Sequence, residues 1–266
     1  MSEVCVLLSV MTFNLLNGEA TGPGRDWTER RDIAVGLIRE VQPDVFGVQE
    51  CFDYQAQYLA DALPECGWFG RGRNADGADE MAAVFYKKAA VALKESGHFW
   101  LSETPDTPGT TFPDAHHNRM VTWGSFEHVA SGKPFYFFNT HFDHACAEAR
   151  DASARLLGER ARSIGGDNPC VVVGDFNAAG GMSTPWELLT AAGLRDAWLA
   201  DGVERRPAGT WHGLKGGGDD PKTRIDWVLV SEGVGVEHCE AVTYEERGRL
   251  PSDHYPVQAR LTLSKE

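Results

Sequence analysis

Apolar runs and helix-period stretches alternate along this chain, and the spacing of the apolar residues tells them apart. Residues 6–13 form an apolar run, and the β-branched triplet Val171, Val172, Val173 reads as a buried strand. Residues 26–40 place Ile33 and Leu37 at helical spacing, with Val41 following, and Pro43 acts as a stop signal. A shorter helix is predicted over 53–63, a long one rich in Ala, Leu and Arg over 147–164, and another over 184–192. Residues 81–86, 91–100 and 120–126 read as consecutive strands without helices between them, which implies antiparallel pairing. Strands return at 225–230, 234–244 and 257–263. Many strands with few helices predict an α/β fold in which two mixed sheets pack face to face, with helices over the outer faces. Segments 102–118 and 199–224 have little periodicity, and long loops of this kind are often functional.

Several apolar runs end in residues capable of chemistry. The first leads into Asn14, and Pro43-Asp44-Val45-Phe46-Gly47-Val48 leads into Gln49 and Glu50. Phe135 to Phe138 leads into Asn139, Thr140, His141, Asp143 and His144. The valine triplet leads through Gly174 into Asp175 and Asn177, and Ser252-Asp253-His254 precedes the last strand. Sheet enzymes place ligands at strand ends, so five such exits predict one convergent site. Asp175 and Asn177 are expected to point the same way, because strand side chains repeat every two residues. A carboxylate and an amide so placed can hold a hard cation and a phosphate oxygen; the plain alternative is a capped turn.

Composition narrows the setting. A chain of 266 residues with 42% hydrophobic content can bury a full core, and no linker or internal repeat divides it, so one catalytic domain over 1–266 is expected. A net charge of −14 argues against a broad basic surface for nucleic acid, while local cations or bound metal still permit phosphorylated substrates. Arg71/Arg73 and Arg205/Arg206 are expected to be solvated surface. Met1-Ser2-Glu3-Val4 lacks the basic start of a secretory signal, and no apolar stretch is long enough to span a membrane. The six cysteines contain no C-x-x-C pair, which favours buried free thiols in a cytoplasmic protein, with a Cys51–Cys66 bridge left open. No obligate protein partner is implied.

Glu50 suits an oxygen-ligated Mg²⁺ or Mn²⁺, or serves only as a charge at the start of the following helix. Asp226 opens an apolar run and needs a partner, for which His254 is the natural choice: a carboxylate on one imidazole nitrogen makes the other a better base. Glu80 could pair with His141 in the same manner. The competing use of His-Phe-Asp-His is a zinc-type hydrolase site on His141, Asp143 and His144, although strand alternation puts His144 on the other face. His116 and His117 read as loop histidines. Arg119 is either a fork for phosphate or a surface cation. Trp211, in Thr210-Trp211-His212-Gly213, could stack a base or sugar or simply pack its loop.

Taken in order, these segments resemble the endonuclease/exonuclease/phosphatase superfamily of deoxyribonuclease-like metal-dependent phosphohydrolases. The match runs through Asn14 in Met-Thr-Phe-Asn, Glu50 in Val-Gln-Glu, Glu80, and His141 in Asn-Thr-His-Phe-Asp-His. It continues through Asp175 and Asn177 in Gly-Asp-Phe-Asn, Asp226 in Arg-Ile-Asp-Trp-Val, and Asp253-His254 in Ser-Asp-His-Tyr-Pro. Arg119 to Trp123 and the His141 element look most like a bacterial subgroup near the deadenylase-like branch. The resemblance implies a four-layer α/β/β/α sandwich that hydrolyses a phosphoester with Mg²⁺ (Mn²⁺ as an alternative). It implies that Glu50 binds metal with Asn14 and Asp253, and that His254, oriented by Asp226, activates water. Asp175 and Asn177 would orient nucleophile and phosphate, and His141 would stabilise or protonate the departing charge. Nucleic acid, a nucleotide, a phospholipid head group or a sugar phosphate all fit as substrate. A binding module that keeps the fold without turnover is the non-enzymatic alternative.

Overall fold

The computed structural model describes residues 6–200 and 207–263. Arg205, Arg206 and the first four residues lie outside them. In chain order the first elements are β1 (Val6–Asn14), α1 (Trp27–Val41), β2 (Val45–Cys51), α2 (Asp53–Ala62), β3 (Cys66–Phe69), β4 (Met81–Lys87), β5 (Val91–Trp100) and β6 (Met120–His128). Then follow β7 (Pro134–His141), α3 (Ala147–Gly165), β8 (Cys170–Asp175), α4 (Thr184–Ala191), β9 (Arg195–Asp196), β10 (Asp226–Val230), β11 (Val234–Ala241) and β12 (Val257–Leu263). A short 3-10 turn at Pro221–Thr223 precedes β10.

Two six-stranded sheets result, ordered β11-β12-β1-β2-β4-β3 and β5-β6-β7-β8-β10-β9. Each holds one parallel pair joined through a helix: β1 with β2 through α1, and β7 with β8 through α3. The other pairings are antiparallel. The boundaries of α1 follow its sequence signals. Asp26 accepts from the Thr28 amide at the start, and Gln42 turns left-handed (φ 52°) just before Pro43 at the end.

Side-chain alternation builds the layers. Val171 and Val173 face inward with Leu8, Val10, Phe135 and Phe137, and fill the space between the sheets. Val172 faces outward with Phe138 and Trp227 against Leu157 and Leu189 of α3 and α4. Met11, Phe13, Phe46 and Val48 face Leu37, Ile38 and Leu59 of α1 and α2. The chain is thus an α/β/β/α sandwich whose central strands are apolar on both faces, which explains their unbroken hydrophobic runs.

This topology places the chemistry. The C-terminal ends of β1, β2, β7 and β8 carry Asn14, Glu50, His141 and Asp175, whereas the antiparallel β10 and β12 bring their beginnings, Asp226 and the segment before Val257, to the same cleft. The buried Arg30 of α1 donates to the carbonyls of Leu15, Leu16 and Pro251, tying the turn after β1 to the segment that delivers His254. Segment 102–118 forms no regular element. Cys51 and Cys66 are buried free thiols, not a bridge. Among the described residues no helix is long and apolar enough to cross a membrane.

Candidate active site

Three neighbouring strands set a row of ionisable groups on one rung. In the β7–β8 pairing His141 lies opposite Asp175, and in the β8–β10 pairing Asp175 lies opposite Asp226. Gly174 permits this: a Cβ there would stand 2.2 Å from the Thr140 carbonyl oxygen, so only glycine lets β7 approach so closely. The glycine therefore serves a close approach inside the ladder.

His254 completes the row. Its Nδ1 lies 2.9 Å from Asp226 Oδ2, and its Nε2 lies 3.9 Å from Asp175 Oδ2. Burial works against a charge on this ring, but Asp226, its hydrogen bond, Asp175 and Asp253 outweigh it and hold the imidazole up to about 10. Burial and the facing Asp226 push the Asp175 carboxyl up to about 7, with His254, the Asn177 amide and Asn14 pulling the other way. His141 moves in the opposite direction. Burial first, then Arg119 and Arg73, hold it well below the ordinary histidine range. Its Nε2 lies 3.0 Å from Asn177 Nδ2, and an amide N–H donated there requires an unprotonated Nε2, as in the neutral ring.

Glu50 reaches the site from the other sheet through a backbone irregularity. The β2–β4 register shifts between Val48 and Cys51, and Glu50 takes a left-handed conformation (φ 55°) that residues other than glycine seldom adopt. Asn139 crosses between the sheets to support this point. Its amide donates to the carbonyls of Val48 (3.0 Å) and Ala83 (2.8 Å), while its oxygen accepts from Gln49 (2.6 Å). Asn14 then links the two sheets' carboxylates, donating at 3.0 Å to both Glu50 Oε1 and Asp175 Oδ2. Ligand-capable atoms of Glu50, His141 and Asp175 all lie within 4.8 Å of one another, positioned to bind a metal ion.

These residues line a cleft of about 500 Å³ that also includes Arg25, Arg73, Glu80, Arg119, Trp211 and Asp253. A larger cavity of about 840 Å³, beside Arg162 and Arg195, contains none of the chemistry-bearing residues singled out from the sequence.

The sequence profile described as the Endonuclease/Exonuclease/phosphatase family matches residues 11–254. The chain belongs to that family. The solved endonuclease/exonuclease/phosphatase from Bacteroides vulgatus is 34% identical, with a TM-score of 0.90, over 97% of this chain and 100% of its own. Bacteroides thetaiotaomicron mannosyl-6-phosphatase Bt3783 is 32% identical, with a TM-score of 0.84, over 96% of this chain and 99% of its own. A protein of Acanthamoeba polyphaga mimivirus, L388, is 27% identical over 165 residues, which span 57% of this chain and 59% of that protein.

Within this endonuclease/exonuclease/phosphatase fold, several residues stand differently from their sequence reading. Glu80 does not orient His141: it pairs with Arg73 (2.9 Å) and accepts from the Asn17 side chain. Arg73 is buried and also faces Asp79 at 3.1 Å, so it is not solvated surface. Asn14 turns its amide nitrogen to the carboxylates and its oxygen to the Leu16 backbone amide, which makes it a link between the two acids. Asp253 lines the cleft 3.9 Å from Arg25 but lies outside the Glu50, His141 and Asp175 group. Asn177 does reach the cleft, but from a left-handed residue beyond the strand (φ 48°), and its amide is engaged by His141 and the Phe142 carbonyl.

His141, Asp143 and His144 do not converge. Both Asp143 oxygens are occupied by main-chain amides, those of His116 and His117 on one and of Ala145 and Cys146 on the other. Arg119 lines the cleft although buried, with its Nε lacking a hydrogen-bond partner. Sequence reasoning missed Asn17, whose backbone N–H donates to Glu50 Oε2 at 2.7 Å, and Ser252, whose hydroxyl donates to the Asn14 backbone carbonyl at 2.7 Å.

Proposed function

We propose that this protein is a Mg²⁺-dependent phosphoester hydrolase acting on a small phosphomonoester, with a sugar phosphate as the first candidate. The observation that carries the reading is the buried row His141, Asp175, Asp226 with His254 bonded to its end, set against Glu50 through Asn14.

The donor set fits a hard cation. Two carboxylates, Glu50 and Asp175, face each other with the Asn14 amide between them, an oxygen-rich pair of the kind that hard divalent ions take. A bound divalent ion would neutralise phosphoryl oxygens and lower the proton affinities of Asp175 and His254.

The chain's own residues supply the remaining steps. Asp226 fixes the His254 tautomer and stabilises the imidazolium. A water bonded to His254 Nε2 and Asp175 Oδ2 attacks phosphorus: the new P–O bond forms as the ester P–O bond breaks, the water's proton passes to Nε2, and the departing oxygen takes a proton from solvent. Arg119, with its unpartnered Nε, supplies positive charge to the phosphate, while Arg73 is held by Glu80 and Asp79. His141, held neutral, keeps Asn177 in place and is no proton donor in this scheme.

The substrate class rests on three supports. The mannosyl-6-phosphatase similarity extends over nearly the whole chain, and a cleft of about 500 Å³ suits a small ligand. Trp211, 46% exposed on the cleft wall and bridged through its backbone to His254, offers a ring face for a sugar. Phosphate release from mannose 6-phosphate, glucose 6-phosphate, nucleoside monophosphates, bis-p-nitrophenyl phosphate and a single-stranded oligonucleotide tests this. Turnover is expected to favour the hexose phosphates. Turnover confined to the diester and oligonucleotide would overturn the substrate class while leaving the hydrolase reading standing.

A further inference from the structure

Two loops bring His116, His117 and His144 together, with His117 and His144 on the lining of the cleft. Their ring centroids lie 4.4 Å (116 to 117), 4.9 Å (116 to 144) and 5.5 Å (117 to 144) apart. One ring nitrogen from each lies within 4.8 Å of the other two. We propose that this trio is a second metal site, for a divalent ion of the zinc class, distinct from the Glu50, His141 and Asp175 group.

The loops are built to hold the trio. Asp143, 1% exposed, sits beneath it and accepts from the backbone amides of His116 (2.8 Å) and His117 (3.0 Å) through one oxygen. Its other oxygen accepts from Ala145 (2.9 Å) and Cys146 (2.8 Å), just past His144. One buried carboxylate therefore fixes the backbone on both sides of the three rings and places a negative charge under them. It orders the loops that carry the rings, through main-chain amides alone, without itself joining the three nitrogens.

The donor chemistry selects the ion. Three imidazole nitrogens without a carboxylate among them suit zinc and its first-row neighbours, and they are poor ligands for Mg²⁺, which takes oxygen. Three histidines also leave a fourth position open. His117 and His144 line the cleft, so an ion held there would border the bound substrate. In this arrangement Asp143 of the His-Phe-Asp-His element organises the loops, His144 gives one nitrogen, and the other two come from segment 102–118.

The test uses the full chain, stripped with chelator and dialysed against Zn²⁺ in excess Mg²⁺. Bound zinc is counted by atomic absorption, and affinity is measured by competition with a chromophoric chelator. One zinc equivalent that Mg²⁺ does not displace is expected, and Co²⁺ in its place should show the visible bands of a nitrogen-ligated tetrahedral site. His116→Ala and His144→Ala should each weaken zinc by at least about 10-fold to 100-fold, the loss that removal of even an outer-shell partner produces. His238→Ala, on the exposed face of β11, should leave it unchanged. Absence of a retained equivalent overturns the proposal. So does an equivalent that both variants keep at wild-type affinity, because the ion would then sit with Glu50, His141 and Asp175. Unfolding temperatures in chelator show whether each variant is folded, and the two ligands lie on different loops, so either variant decides the question alone.

Discussion

His254 Nδ1 lies 2.9 Å from Asp226 Oδ2, with both residues nearly excluded from solvent. Asp226→Asn keeps the shape but removes the charge that raises this imidazole. Activity should fall by about 10²–10⁴-fold, the usual contribution of a positioned general base. Stability should change its pH dependence as well. The folded-state value of His254 is raised from 6.5 to about 10, so its stabilising contribution is complete below 6.5 and is lost as pH climbs through about 10. Metal-free thermal unfolding across that window should fall steeply for wild type and less steeply for Asp226→Asn. Parallel curves would remove the pair from the account.

Arg119 carries a charge in the cleft wall with its Nε unpartnered, and burial lowers its proton affinity. Arg119→Met should therefore stabilise the phosphate-free protein by about 1 kcal/mol, a rise of about 2–4 °C in Tm. The same variant should lose about 10²-fold or more in kcat/KM, because a donor aimed at the phosphate is gone. Calorimetry beside steady-state kinetics reads both. A variant that loses stability and keeps activity would make Arg119 a structural cation.

Asp143 separates loop architecture from metal chemistry. Burial pushes its carboxyl up, but the amides of Cys146, His117, Ala145 and His116 outweigh that and hold it below the usual range. Asp143→Ala leaves four backbone donors to find new partners and should cost about 2–5 kcal/mol in urea unfolding, in chelator as well as in metal. A cost seen only with metal present would return Asp143 to the role of ligand.

Glu50 gives a direct reading of cation binding. Mg²⁺ at about 100 times its dissociation constant should stabilise wild type by about 2.7 kcal/mol. Glu50→Gln keeps hydrogen-bond acceptance from Asn17 but loses the charge, and its Tm should hardly respond to Mg²⁺. Equal shifts in both proteins would place the ion elsewhere.

The fold was legible in the sequence because strands buried on both faces leave continuous apolar runs, as at Val171 to Val173, and because α1 announces its ends with Asp26 and Pro43. The two-residue β9 and four-residue β3 left no such trace: they are too short for a period to show. In the site, residues at strand ends were readable. Those whose roles depend on contacts across the chain were not: Asn139 spans 91 residues to reach Val48, and Arg73 looks like any loop arginine until it meets Glu80. By sequence Glu80 could pair with His141, and no local pattern reveals that Arg73 and Asn17 occupy it instead. Period-two reasoning also ended at Asp175. Asn177 reaches the cleft only through a left-handed backbone that strand alternation does not describe.

The central claim is that Asp175 and His254 act together on a phosphoester with a divalent ion. Phosphate release from a hexose phosphate by wild type, His254→Ala and Asp175→Ala, each in Mg²⁺ and in chelator, tests it most directly. The account predicts turnover by wild type in Mg²⁺ alone, abolished by chelator and by either substitution, with both variants still folded. Activity that survives in both variants, or that is indifferent to chelator, would contradict it.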